Sequence, residues 1–251
     1  MLALALMAPA AISAQAQRGR GPAPPPATAK QQAPIDLTGY WVSVVTEDWR
    51  YRMITAPKGD HPGLPLNAEG NRVANAWDPE KDEAAGEQCK AYGAAGVMRA
   101  PGRLHVTWES DDSLKLETEA GTQTRSFTFG AVATAAGAPT WQGTSMAQWE
   151  VTGGGGRRGR GGTTQGGSLK VVTTHMRPGY LQKNGVPYGE NAVLTEYFSR
   201  TVEPNGDSWL IVTHIVEDPQ YLTQPFIRST HFKKLPDSVS SSWTPEVCSA
   251  R

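Results

Sequence analysis

The sequence predicts an all-β fold, an antiparallel up-and-down β-barrel with one or two short helices. Three observations carry that expectation. Nine short runs rich in β-branched and aromatic residues follow one another between Tyr40 and Lys233. Several breaks between them have hairpin chemistry: Asp111-Asp112, Ala120-Gly121 and Pro204-Asn205-Gly206-Asp207. Hardly any helical periodicity intervenes, so consecutive strands can pair as a meander, and closing a meander removes its exposed edges.

In chain order, Leu2 to Ile12 is an apolar run of the length of a signal-peptide core, followed by the small-x-small pattern Ala14-Gln15-Ala16. Residues 1–16 therefore read as a signal peptide cleaved after Ala16, which places the mature chain in the periplasm or outside the cell. The run is shorter than the roughly 20 apolar residues that cross a bilayer, so no membrane span is expected. No Lys or Arg precedes it, which predicts a translation start upstream of Met1. Residues 17–34 are Arg-Gly, Pro-Ala and Gln with almost nothing to bury, the composition of a disordered linker. Residues 35–251 are then one barrel domain.

Within it, Tyr40–Thr46 opens the strands. Asn67–Trp77 and Pro79–Tyr92 are richer in Ala, Glu, Lys and Asn and read as one or two short helices or ordered loop, packed across the barrel. The remaining strands are Leu104–Glu109, Ser113–Glu119, Thr122–Phe129, Ser145–Val151, Leu169–Met176, Ala192–Arg200, Ser208–Val216 and Phe226–Lys233. Residues 152–168, with Arg157-Arg158-Gly159-Arg160 among glycines, read as a flexible hairpin tip rather than an RNA-binding segment, since an exported chain rarely meets RNA. Lys and Arg number 24 against 24 Asp and Glu, so no electrostatic case exists for a nucleic-acid partner.

Two cysteines, Cys89 and Cys248, form an even pair in an exported chain and predict a disulfide. It would close a loop of about 160 residues, worth roughly 4 to 5 kcal/mol by chain entropy. Two distant Cys and five scattered His show no ligand spacing, so no metal is expected. Gly153–Gly156 lacks the Lys-Ser/Thr ending of a phosphate loop, and no cofactor is expected. Gly143-Thr144-Ser145-Met146-Ala147 ends in Ala147 with no helix behind it, which excludes a nucleophile elbow.

Glu196 shares a strand face with Leu194 and Phe198, and Glu217 shares one with Thr213 and Ile215. A carboxylate on an apolar face must be paired or neutral, and Arg125 is the expected partner. The bland alternative is an Arg–Glu pair that only fixes register. His175 closes a strand beside Arg177-Pro178-Gly179 and is expected at the barrel mouth. Glu196, Glu217 and His175 are thus the acid–base candidates. Arg125, Trp141, Trp149, Tyr188 and Glu190 are the candidate ligand contacts, with both tryptophans on one face to stack on a planar ring.

Gly39-Tyr40-Trp41 at the start of the first strand resembles the Gly-x-Trp that opens lipocalins. A broader resemblance runs from Trp77 to Phe226. It is carried by Cys89, Gly93 and Met98, Arg125-Ser126-Phe127-Thr128-Phe129-Gly130, Trp141 to Glu150, and Gly185-Val186-Pro187-Tyr188-Gly189-Glu190. Thr195-Glu196-Tyr197-Phe198 and Val216-Glu217-Asp218-Pro219 with Tyr221, Thr223 and Pro225 complete it. Together these resemble a large uncharacterised set of exported acidobacterial and proteobacterial proteins. Its pattern includes Trp-x-Gly-x-Ser-x-Gly-x-Trp-Glu, Gly-x-Pro-His-Ser-Glu and Ile-Glu-Asp-Pro-x-x-Tyr-Thr. The chain departs from it at Ala147 for Gly, Tyr188 for His and Gly189 for Ser, so a base at that His position is not available here. Two functions stay open: a binding protein holding a small hydrophobic or aromatic ligand inside the barrel, or an enzyme using that cavity for acid–base chemistry as a lyase, isomerase or hydrolase.

Overall fold

The structure, a computed structural model, describes residues 25–130, 137–151 and 166–251. The expected signal peptide and most of the loop 152–168 lie outside the described residues. Nine strands close into one ring: β1 (Gly39–Val44), β2 (Arg103–Ser110), β3 (Ser113–Thr118), β4 (Gln123–Phe129), β5 (Thr144–Val151), β6 (Gly167–Thr174), β9 (Val193–Val202), β10 (Ser208–Glu217) and β11 (Phe226–Lys234). Between β6 and β9 the chain leaves the ring to form the hairpin β7 (Gly179–Gln182) and β8 (Val186–Tyr188), which the sequence reading missed.

The expected all-β barrel is the fold, and one pairing departs from antiparallel order. A ring returns to its starting direction only after an even number of reversals, so nine pairings need at least one parallel pair. β4 and β5 supply it, with Phe127 opposite Ser145 and Phe129 opposite Ala147. Every other neighbour in the ring is antiparallel.

Period-two alternation decides which side chains enter the lumen. Leu210, Val212, His214 and Val216 of β10 are buried, while Trp209, Ile211, Thr213 and Ile215 between them face outward. Glu217 keeps the outward parity and is exposed, which corrects its expected inward placement. Trp41, Leu116, Leu169, Val171, Leu210, Val212 and Phe232 fill the lumen with no exposed surface. Each such burial is worth about 1.5 to 3 kcal/mol.

One end of the ring is plugged. Trp108, Phe129 and Trp149 meet there at centroid distances of 5.4 to 6.4 Å. The helical turn α1 (Ala29–Gln32) lies over them, its Ala29 carbonyl accepting from Trp149 Nε1 at 2.8 Å. Thr28 and Gln31 form a capping box, and Ala29 and Lys30 donate to Asp112 and Asp111. The last residues of the expected linker are therefore ordered, because a local cap and a strand turn satisfy a backbone that has little to bury.

The other end is capped by α2 (Trp49–Met53), α3 (Ala68–Asn75), α4 (Pro79–Ala84), a 3-10 turn at Gln88–Tyr92 and α5 (Ala94–Val97), together with β7–β8. Asn67 and Asp78 start α3 and α4 by accepting from Gly70 and from Glu80 and Lys81. Met176, Leu181, Val186, Tyr188 and Phe226 form the apolar core beneath this cap. The Cys89–Cys248 disulfide, with a Cα separation of 5.1 Å, ties the C-terminal tail to it. Among the described residues no helix is long and apolar enough to cross a membrane.

Candidate functional site

Of the residues singled out in the sequence, Arg125 and Glu196 meet. The inward parity of β4 and β9 points both into the lumen, where neither side chain has exposed surface. Arg125 donates from Nη1 and Nη2 to Glu196 Oε1 and Oε2 at 3.0 and 2.5 Å. Its Nη2 also reaches Thr173 Oγ1 at 3.2 Å, which lies 2.8 Å from Ser145 Oγ. The guanidinium sits 4.9 Å over the Phe127 ring. Both carboxylate oxygens are engaged, so this pair is a closed unit rather than an open acid or base.

His214 lies across the strand from Glu196 with both ring nitrogens unpartnered. Burial first, then Arg99, Arg228, Arg52 and Arg125, push its pKa down to about 3. Tyr188 is buried with its hydroxyl unpartnered, and burial raises its pKa. Gly93 and Gly179 make room for that hydroxyl: a Cβ at either would meet it at 2.2 or 2.7 Å. The other candidates do not join this group. Glu217 and Glu190 are exposed. His175 is half-buried in a left-handed conformation (φ 57°) and lies 3.0 Å from the Gly137 carbonyl. Trp141 stacks under Arg177 at 4.3 Å, whereas Trp149 plugs the opposite end, so they form no common platform. Asp218 accepts from the Gly189 and Gln220 amides and holds the turn after β10.

The lumen is occupied by its own side chains, and a cleft opens elsewhere. It measures about 580 Å³ and lies over the capped end, sharing no residue with the apolar cluster of the lumen. Tyr51 to Thr55 form one wall, Tyr92, Gly96 and Arg99 to Pro101 the floor, and Leu181 to Lys183 a side. The C-terminal tail closes it with Glu246, Val247 and Arg251. That tail is pinned by the disulfide and by Glu119, which accepts from the Thr244 amide and, through its carbonyl, from the Glu246 amide. Arg103 grips the same Glu119 carboxylate, which overcomes burial to hold its pKa low.

Beside the cleft is a charge network with no sequence motif. Asp48, in a left-handed conformation (φ 49°), accepts from Arg99 at 3.3 Å and Arg228 at 2.9 Å. Burial opposes its ionisation, but these two guanidiniums hold its pKa below the usual range. Glu47 pairs with Arg52 and with His231. Among the described residues no group of three or more acidic, His or Cys side chains is placed to hold a metal.

The class these features define is a closed β-barrel with a packed lumen and a ligand-sized cleft at its capped end. Comparison with protein-family models, curated proteins and solved structures returned no match for the chain.

Proposed function

We propose that the protein is an exported barrel of calycin type that binds a small hydrophobic or aromatic ligand, held in the cleft over the capped end rather than in the lumen. One observation carries the reading. Among the described residues, Met53, Ile54 and Val247 are large apolar side chains left 57, 58 and 83% exposed, and all three line this cleft. Exposed apolar surface gathered in a concavity marks a binding site more often than scattered surface residues do. The volume lies within the roughly 300 to 1,000 Å³ of small-molecule sites. Acid–base chemistry has less support, because the best carboxylate candidate, Glu196, is forked onto Arg125 with no exposed surface.

The test is a thermal-shift screen of the purified chain against pools of aromatic and aliphatic compounds, scored for turnover as well. A hit should raise the melting temperature without product, and Ile54→Asp with Val247→Asp should cancel the shift. No hit, or a shift indifferent to both substitutions, defeats the reading.

A further inference from the structure

We propose that the ligand of this cleft is an amphiphile whose carboxylate head group is held by Arg52 and Arg99. The proposal rests on the cleft reading above and adds the chemistry of the head group. The cleft is lined by four basic side chains, Arg52, Arg99, Lys183 and Arg251, against one acidic side chain, Glu246. Arg251 is paired with Glu80 at 2.8 Å, so the excess that an apolar ligand would not call for lies with the other three.

The two arginines are the unusual members. Arg52 is 6% and Arg99 5% exposed, and a buried charge is stable only when paired. Arg52 donates from Nη1 to Glu47 and from Nε to the Arg99 carbonyl at 2.9 Å. Arg99 shares the single carboxylate of Asp48 with Arg228. Three guanidiniums thus divide two carboxylates, and the group is one negative charge short. The shortfall is visible atom by atom, since Nη2 of Arg52 and Nη2 of Arg99 are buried donors without an acceptor. Burial lowers the pKa of both guanidiniums, the sign that their charge is poorly compensated. A neutral hydroxyl or amide would satisfy donors and leave the charge unmatched, whereas a carboxylate supplies acceptors and charge together. Both arginines line the cleft but neither nitrogen touches solvent, so the head group reaches them once the side chains that cover them shift.

The experiment is calorimetric titration of the full chain with two matched pairs, decanoate with decanamide and 3-phenylpropanoate with 3-phenylpropanamide. Each carboxylate should bind at least about tenfold tighter than its amide, the worth of one charge-assisted contact. Arg52→Gln should remove that advantage, bringing each carboxylate down to the affinity of its amide. Because Arg52 is buried, an exposed position provides a second arm: Met53→Asp should weaken carboxylate binding several-fold relative to Met53→Asn, with no such difference for the amides. Equal affinities within each pair overturn the head-group assignment while leaving the cleft reading intact. So does a carboxylate preference indifferent to both Arg52→Gln and Met53→Asp. Failure of all four compounds to bind overturns the cleft reading and this proposal together.

Discussion

Buried without exposed surface and forked onto Arg125, Glu196 is tied to the fold before it can serve any chemistry. Glu196→Gln strands the Arg125 charge, so we expect a loss of about 3 to 5 kcal/mol in denaturant unfolding. A variant of unchanged stability would contradict the structural role. His214 adds to the acid sensitivity of the fold. Its pKa falls from 6.5 in the unfolded chain to about 3 in the folded one, so between those values the unfolded state binds more protons. Its contribution is therefore complete above about pH 6.5 and is lost as the pH falls toward 3. Unfolding midpoints measured from pH 7 to pH 4 should fall for the parent and fall less for His214→Leu. The inward face of Glu196 was legible because Leu194 and Phe198 flank it in an alternating strand. The outward face of Glu217 was not, because both faces of β10 carry apolar residues and alternation alone does not say which is inside. Arg99 and Arg228 carried no signal at all: they come from separate segments, and only the tertiary fold brings them to Asp48, beside the local Glu47–Arg52 pair.

All nine ring strands were readable from composition and turns, since each is a short β-branched run with a clear break. The parallel seam between β4 and β5 was not, because sequence periodicity ends at the strand and does not say in which direction the next strand is laid beside it. The β7–β8 hairpin escaped for a related reason: four and three residues are too few for a periodic pattern. The disulfide was legible because a chain with two cysteines leaves one pairing. Its consequence was not, since the tail it pins is a wall of the cleft. Replacing Cys89 and Cys248 with Ser should cost up to about 4 to 5 kcal/mol and weaken ligand binding, while circular dichroism keeps its β signature. Unchanged affinity would show that the tail is not part of the site.

At the scale of the whole molecule, the barrel resolves into a filled lumen that provides stability and a capped end that provides a concave surface. The expectation of one site where strand ends meet drew on residues that the fold distributes to both ends: Trp149 to the plug, Trp141 and His175 to the rim, Glu190 and Glu217 to solvent. Arg125 and Glu196 are sealed beneath the cap. The most direct test of this division is amide chemical-shift mapping of the labelled chain during titration with decanoate. The account predicts shifts concentrated at Met53, Ile54, Tyr92, Gly121, Leu181 and Val247 around the cleft. Shifts centred instead on Leu116, Leu169 and Val212 in the lumen would contradict it.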